Sequence, residues 1–163
     1  MDRVDLAIER RAIEVRYSQD LLDTSGNPAH AATWIRRRLI VLDAELQGNP
    51  DEHKRILTHE LYHFVWARLG NPRRQSWEEL MRAEALARAR GDAGWSAEWR
   101  KRELTAADRQ CRTRKWREYC CEAFCDTAAW LETGTPTEVT LAQCHLKFRR
   151  RWFAEQFTDS LPI

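Results

Sequence analysis

The chain has 163 residues and a formal net charge of +2, from 27 basic and 25 acidic side chains. This length predicts a single domain over residues 1–163 with room for a sizeable hydrophobic core. The nearly balanced charge is unlike the strong positive field of a dedicated nucleic-acid binder, so direct nucleic-acid binding is not expected. No apolar run approaches the roughly 20 residues that cross a bilayer, so no membrane span is expected either.

The N-terminus and the cysteines indicate the cellular compartment. Met1-Asp2-Arg3-Val4-Asp5 is rich in charge and no apolar stretch follows it, so a secretory signal peptide is not expected. The five cysteines are an odd number, and Cys120 and Cys121 are adjacent. This pattern favours reduced core or surface thiols over a disulfide framework, and its spacing does not match a zinc-binding C-x-x-C pair. We therefore expect a cytoplasmic protein.

The first elements of the chain are expected to be a helix and a strand. Residues 2–23 are predicted to be mainly helical, although the alternation over residues 13–17 also suits a short strand. A predicted turn over 24–28 precedes a predicted strand over 34–43, whose second half is an apolar, β-rich run. An exposed edge of this strand could pair with an extended peptide, or the strand could simply close the sheet.

The rest of the chain is expected to be helical. One helix begins after Asn49-Pro50, a capping residue followed by proline, and ends before Gly70. The further predicted helices cover residues 77–90, residues 96–130 as one helix or two, and residues 138–157. The predicted fold class is therefore α+β, predominantly helical, with a small sheet whose edge strand precedes the first long helix.

The most informative motif lies in that first helix, at His59-Glu60-Leu61-Tyr62-His63. Positions i and i+4 of an α-helix share a face, so both imidazoles can bind one metal ion, while Glu60 can contact a metal-bound water. This H-E-x-x-H arrangement is typical of zinc peptidases; the alternative is an ordinary amphipathic helix with two surface histidines. Apolar neighbours at helical spacing favour a buried metal helix: Ile56, Leu57, Leu61, Phe64, Val65 and Leu69.

A catalytic zinc needs a third protein ligand, and the best candidate lies on a later helix. Glu122 and Asp126 share a helix face, so Glu122 can bind the metal while Asp126 accepts a hydrogen bond from a ligand histidine. The alternative is a pair of solvated carboxylates. Glu118, one turn earlier, is the reserve ligand, and His145 is disfavoured because its distance from His63 does not fit the compact three-histidine pattern.

The strand, the H-E-x-x-H helix and the Glu122-x-x-x-Asp126 helix resemble those of the gluzincins, or glutamate zincins. Among these, the chain is most similar to the small cytoplasmic ImmA/IrrE-like metallopeptidases of bacteria and their phages, over residues 13–69 and 115–132. The resemblance implies a zincin-like helical domain with a small sheet, one zinc ion, and cleavage of a specific protein, often a transcriptional repressor. The long charged interval 73–117 and the lack of a helix-turn-helix partner domain depart from the family pattern.

These features predict a zinc-dependent metallopeptidase that hydrolyses a peptide bond in a protein or peptide substrate. One Zn²⁺ per chain is expected on His59, His63 and Glu122. Glu60 is the predicted general base that activates the zinc-bound water, and Asp126 is the predicted partner of a ligand histidine.

Two questions stay open at this point. Tyr119 and His145 are both possible donors to the oxyanion of the reaction, and nothing in the sequence selects between them. The rival hypothesis is a zincin-like protein-binding or regulatory module that keeps metal in a structural role without proteolysis. An intact Glu60 argues against it, because a structural zinc site needs no general base. The sequence does not predict the oligomeric state.

Overall fold

The computed structural model describes residues 12–23, 26–134 and 139–157, and in them the fold is α+β and predominantly helical, as predicted. Three short strands come first: β1 (Glu14–Ser18), β2 (Ala31–Trp34) and β3 (Leu39–Asp43). The α-helices of this part of the chain follow: α1 (Pro50–Arg68), α2 (Asn71–Leu86), α3 (Trp95–Glu103), α4 (Ala106–Gln110), α5 (Arg114–Thr133) and α6 (Gln143–Gln156). Short 3-10 turns flank β3, at Ile35–Arg37 and Ala44–Gly48.

The sheet has the order β1-β3-β2, with β3 in the centre, parallel to β1 and antiparallel to β2. Ile40 and Leu42 of β3 are fully buried, and they pack with Ile56 and Phe64 of α1 in one apolar cluster. Each side chain of this size contributes about 1.5–3 kcal/mol when it is fully buried. The cluster therefore holds α1 against the sheet.

Two sequence predictions for the sheet region need correction. The mainly helical opening over 2–23 is wrong for residues 12–23, which contain the alternative strand as β1, and residues 2–11 lie outside the described part. The predicted strand over 34–43 is broken after β2 by a turn in which Arg38 has a left-handed φ of 51°. The strand directly before α1, β3, is therefore central, and β2 is one of the two edge strands. The sequence does not indicate this turn, because residues 35–38 include none of the usual turn residues.

α1 begins and ends where the sequence predicts. The Asn49 side chain accepts a hydrogen bond from the Glu52 amide at 3.3 Å, Pro50 is the first helical residue, and Gly70 follows the helix with a φ of 76°. The buried positions of the helix include three of the five motif residues: Ile56, His59, Glu60, Tyr62, Phe64 and Val65. The motif therefore does not lie on an ordinary solvated face.

α5 packs along α1 and is backed by an aromatic core. Phe124 of α5 stacks on Phe153 of α6 with 5.0 Å between ring centroids, and Trp77 of α2 meets Phe124 edge-on at 5.8 Å. The Trp77 indole N–H donates to the Cys120 carbonyl oxygen at 2.9 Å. Aromatic pairs of this geometry add about 0.5–1.5 kcal/mol each beyond the area they bury. They fix the position of α5 relative to α2 and α6.

The charged segment after α2 forms three helices where one or two were predicted. Thr105 begins α4 with a capping box to Asp108, and Thr113 begins α5 by accepting a hydrogen bond from the Trp116 amide at 3.4 Å. Gly134 ends α5 with a φ of 67°. Caps within the charged segment, rather than glycine or proline, therefore set the starts of α4 and α5.

The outer helices are displaced from their predicted positions. α2 begins at Asn71 rather than at residue 77, because Gly70 alone makes the turn after α1. α6 begins at Gln143 rather than near residue 138, and residues 135–138 are not among those described. In the described ranges, no helix has both the length and the apolar character that crossing a membrane requires.

A buried charged group ties α6 to α2 and to the segment before α3. The fully buried Arg149 guanidinium donates to both carboxylate oxygens of Glu84, at 2.8 and 2.7 Å, and to Asp92 at 2.6 Å. Burial opposes ionisation of Asp92, but the Arg149 charge outweighs burial and lowers the pKa of that carboxyl. The Tyr119 hydroxyl also donates to Asp92, at 3.0 Å. Arg149 thus pairs with two buried carboxylates, and Lys101 Nζ, 3.5 Å from Asp92 Oδ2, adds a second positive charge.

Arg149→Met should lower the free energy of unfolding by about 3–5 kcal/mol, because it removes the arginine that pairs with buried Glu84 and leaves Asp92 with Lys101 alone. Chemical denaturation followed by circular dichroism measures this quantity. Arg151→Met is the matched control on the same helix: Arg151 is exposed and pairs with Glu155, so the change should stay within about 0.5 kcal/mol. Equal effects of the two variants would contradict the role given to Arg149.

Candidate metal centre

His59 and His63 lie one turn apart on α1, with ring centroids separated by 5.0 Å and ring planes at 74°. Glu122 of α5 faces both rings. Its carboxylate oxygens lie 3.2 Å from His59 Nε2 and 3.9 Å from His63 Nε2. The structure thus brings the three side chains that the sequence predicts as ligands to one point between α1 and α5.

Asp126 lies one turn further along α5 and orients His59. Its Oδ1 lies 2.8 Å from His59 Nδ1, and its Oδ2 accepts a hydrogen bond from the Ala97 amide of α3 at 2.8 Å. A carboxylate can only accept here, so Nδ1 of His59 carries a proton, and Nε2 is the nitrogen that faces Glu122. Asp126 therefore occupies the position that the sequence predicts for the partner of a ligand histidine.

The start of α3 closes the centre on a third side. Gly94 precedes α3, and a Cβ atom at this position would lie 2.5 Å from Asp126 Cγ, so only glycine admits the carboxylate. The Ser96 hydroxyl donates to Glu122 Oε2 at 2.5 Å. Both residues position the predicted carboxylates. Neither was recognised in the sequence, because a lone glycine or serine is common in a charged segment and forms no motif there.

Glu60 lies beside the histidines in an open cleft. Only 9% of its surface is exposed, and its Oε2 accepts a hydrogen bond from the Thr33 hydroxyl of β2 at 2.7 Å. The cleft has a volume of about 460 Å³ and is lined by β2 residues, both histidines, Glu60 and Glu122. The other oxygen of Glu60, Oε1, can therefore interact with a group bound in the cleft. The edge strand β2 borders this cleft.

Arg100 of α3 contributes positive charge to the cleft lining. Its Nη2 lies 3.7 Å from Glu122 Oε1, and its Nη1 donates to the backbone oxygen and hydroxyl of Ser96 at 2.7 and 2.9 Å. The guanidinium stacks on the Trp99 ring at 4.4 Å from the ring centroid. These contacts hold Arg100 beside the carboxylate and leave part of its guanidinium towards the cleft.

The centre favours positive charge between its carboxylates. Burial opposes protonation of His59, but Asp126 and Glu122 outweigh burial and raise the pKa of this histidine well above its ordinary value. Burial likewise opposes ionisation of Glu122, yet His59, His63 and Arg100 hold its pKa far below the ordinary range. The field that favours a proton on these imidazoles also favours a metal cation.

Two cysteines complete the surroundings of His63. Cys121 Sγ lies 3.5 Å and Cys125 Sγ lies 3.6 Å from His63 Nδ1. His59, His63 and Cys125 offer ligand atoms that all lie within 4.8 Å of one another, so they form a buried cluster that could hold a metal ion. The sequence analysis assigned these cysteines to core or surface positions alone, although their i, i+4 spacing equals that of the two histidines.

The remaining sequence candidates lie away from the cleft. The Tyr119 hydroxyl is buried and donates to Asp92, so it is not an oxyanion donor in the cleft. Glu118 is exposed and pairs with Arg114, which removes the reserve ligand. His145 lies on α6 and does not line the cleft either. None of these three alternatives lies at the centre, because the helix face to which a polar residue belongs depends on packing that the sequence does not specify.

Comparison of the chain with protein-family models, with curated proteins and with solved structures found no match.

Asp126→Asn should weaken metal binding at this centre by about 10–100-fold, the usual effect of removing a partner of a ligand histidine. The amide has one acceptor oxygen, so it cannot serve both His59 and the Ala97 amide. Competition with a chelating dye measures the affinity. Glu118→Gln is the control on the same helix, since Glu118 is exposed and pairs with Arg114. Unchanged affinity in Asp126→Asn would contradict the role of this carboxylate.

Proposed function

We propose that the chain is a zinc-dependent metallopeptidase of the gluzincin type, similar to the ImmA/IrrE-like enzymes, that hydrolyses a peptide bond in a protein or peptide. One observation carries the proposal: Glu60 shares an open cleft with His59, His63 and Glu122. A general base beside a metal-type donor set is what hydrolysis requires, and a purely structural metal site has no use for it.

The donor set supports zinc as the metal. Two imidazole nitrogens and one carboxylate oxygen are a known ligand set of catalytic zinc sites. Tetrahedral bonds of about 2.0–2.2 Å separate neighbouring ligand atoms by roughly 3.3–3.5 Å. The 3.2 Å between His59 Nε2 and Glu122 Oε2 is close to that separation. His63 Nε2 lies 3.9 Å from the other oxygen, Oε1, so one ion on all three ligands requires His63 or Glu122 to move.

Glu122 is a better third ligand than Cys125 for a catalytic site. Glu122 lines the cleft, whereas Cys125 is fully buried and contacts the opposite nitrogen of His63. A catalytic zinc needs a fourth position that water and substrate can reach. The set of His59, His63 and Glu122 leaves that position towards the cleft.

The roles of the chain's own residues follow from these contacts. Zinc held by the three ligands would act as a Lewis acid and lower the pKa of water at the site. Glu60 accepts the proton of the attacking water and delivers it to the leaving amine, while Thr33 holds its other oxygen. Arg100 donates to the developing oxyanion from the cleft wall, the role for which the sequence suggested Tyr119 or His145.

Edge strand β2 supports an extended peptide as the substrate. Ala31, Ala32 and Thr33 of β2 line the cleft, and β3 pairs with only one side of this strand. An extended substrate that adds to the other side gains main-chain hydrogen bonds and lies next to Glu60. This assigns peptide binding to β2 instead of the central strand before α1.

The free state of all five cysteines supports a reducing, cytoplasmic setting.

The second candidate function is a protein-binding or regulatory module with a structural metal. The contacts of Cys121 and Cys125 with His63 favour it, because thiolate and imidazole together are typical of structural zinc sites. The position of Glu60 in the cleft, with Thr33 as its partner, favours the enzyme. A variant that removes only the general base, Glu60→Gln, distinguishes the two candidate functions.

Glu60→Gln should lower peptide hydrolysis by about 10²–10⁴-fold and keep one zinc per chain, because the amide cannot accept a proton while the ligands remain. A quenched fluorogenic peptide library read by mass spectrometry measures cleavage, and elemental analysis measures zinc. Glu52→Gln, on the same helix and paired with Arg55, is the control and should cleave like the natural chain. A zinc-loaded natural chain that cleaves no peptide would contradict the enzyme and favour the binding module.

A further inference from the structure

The imidazole of His63 has different partners at its two nitrogens. Nε2 faces Glu122 and the cleft, whereas Nδ1 faces the Cys121 and Cys125 thiols at 3.5 and 3.6 Å. The two cysteines are four residues apart and share one face of α5. The proposed hydrolysis uses only the Nε2 side, so this group of two sulfurs and one nitrogen has no role in it.

The two sulfur–nitrogen separations in this group match the ligand spacing of a tetrahedral zinc site with thiolate and imidazole ligands. Bonds of about 2.3 Å to sulfur and about 2.0–2.1 Å to nitrogen place a sulfur and a nitrogen ligand about 3.5–3.6 Å apart at the tetrahedral angle. The two sulfur–nitrogen distances here, 3.5 and 3.6 Å, already have these values. Each thiol and His63 Nδ1 are therefore already spaced as two ligands of one ion.

We propose that Cys121, Cys125 and His63 Nδ1 form a second metal position, selective for soft, thiophilic cations such as Cd²⁺ or Cu⁺. Thiolate donors select such ions, whereas the imidazole and carboxylate donors on the other side suit a harder one. Cys121 lines the cleft, which gives the ion an entry path, and Cys125 is fully buried, which shields the metal–sulfur bonds from water. Binding converts both thiols to thiolates and releases their two protons to solvent, with no change in oxidation state.

The second position excludes the first because both need His63. A neutral imidazole has one lone pair, so an ion on Nδ1 leaves the proton on Nε2 and removes His63 from the set with His59 and Glu122. A soft cation should therefore release zinc from the centre. This consequence, but not the soft-metal position itself, rests on the zinc site of the proposed function.

Titration of the full chain with Cd²⁺ tests the proposal through the ultraviolet thiolate-to-cadmium charge-transfer band. Cys111→Ser with Cys144→Ser provides the background, because these two cysteines are exposed and would bind cadmium nonspecifically. We expect a band that saturates at one Cd²⁺ per chain. In this background, Cys121→Ser and Cys125→Ser should each weaken cadmium binding by at least about 10-fold.

Two control variants test whether the band depends specifically on Cys121 and Cys125. Cys120→Ser should keep the band, since Cys120 is a buried core thiol, and so should Glu122→Gln, which removes only the proposed zinc ligand. Should Cys125→Ser fail to fold, judged by circular dichroism, Cys121→Ser decides, because its side chain borders the cleft. No band in the folded background, or an unchanged band in Cys121→Ser, would overturn the soft-metal position. Neither the charge-transfer band nor circular dichroism depends on hydrolysis. A negative peptidase assay therefore does not decide whether the soft-metal position exists.

Zinc release tests the shared use of His63. In zinc-loaded background protein, a zinc-sensitive dye should report one zinc released per Cd²⁺ as the band grows. Growth of the band to completion with zinc retained would refute the mutual exclusion.

Discussion

Asp126 lies where three helices meet, and its two oxygens hold two of them to the third. One oxygen binds His59 of α1 and the other accepts the Ala97 amide of α3, both at 2.8 Å. Hydrogen bonds to a charged group contribute roughly 1.5–3 kcal/mol each, so displacing any one of these helices is costly. Gly94 permits the arrangement because any side chain there would overlap the carboxylate. The relative positions of the metal-type donors depend on this one buried group, and such fixed donors are what a metal site requires.

The two histidines of the motif are held in unlike ways. His59 has a carboxylate at Nδ1, which fixes its proton and turns its other nitrogen towards Glu122. His63 has two thiols at the equivalent nitrogen, and these can either accept a hydrogen bond from it or, as thiolates, bind a soft ion. A side with carboxylate and imidazole donors and a side with thiol donors therefore share one imidazole. In the proposed enzyme, this asymmetry makes zinc occupancy sensitive to thiophilic metals.

Local sequence signals predicted the parts of the fold that short-range chemistry determines. Asn49 and Pro50 set the start of α1, and the four-residue spacings put His59 with His63 and Glu122 with Asp126, because helical periodicity is a local property. The division of the predicted strand at Ile35–Arg37 was missed, since tertiary packing stabilises a turn without glycine or proline. The contributions of Thr33, Gly94 and Arg100 were also missed. Each reaches the centre from an element distant in sequence, and a single chain contains no signal for that proximity.

The zinc coordination shell tests the central claim most directly. X-ray absorption spectroscopy at the zinc edge, on the full chain loaded with one equivalent of zinc, measures the elements bound to the metal and their distances. The account predicts only nitrogen and oxygen neighbours at about 2.0–2.2 Å, from His59, His63, Glu122 and solvent. A sulfur neighbour at about 2.3 Å would contradict it, because zinc would then lie on the cysteines rather than beside Glu60 in the cleft.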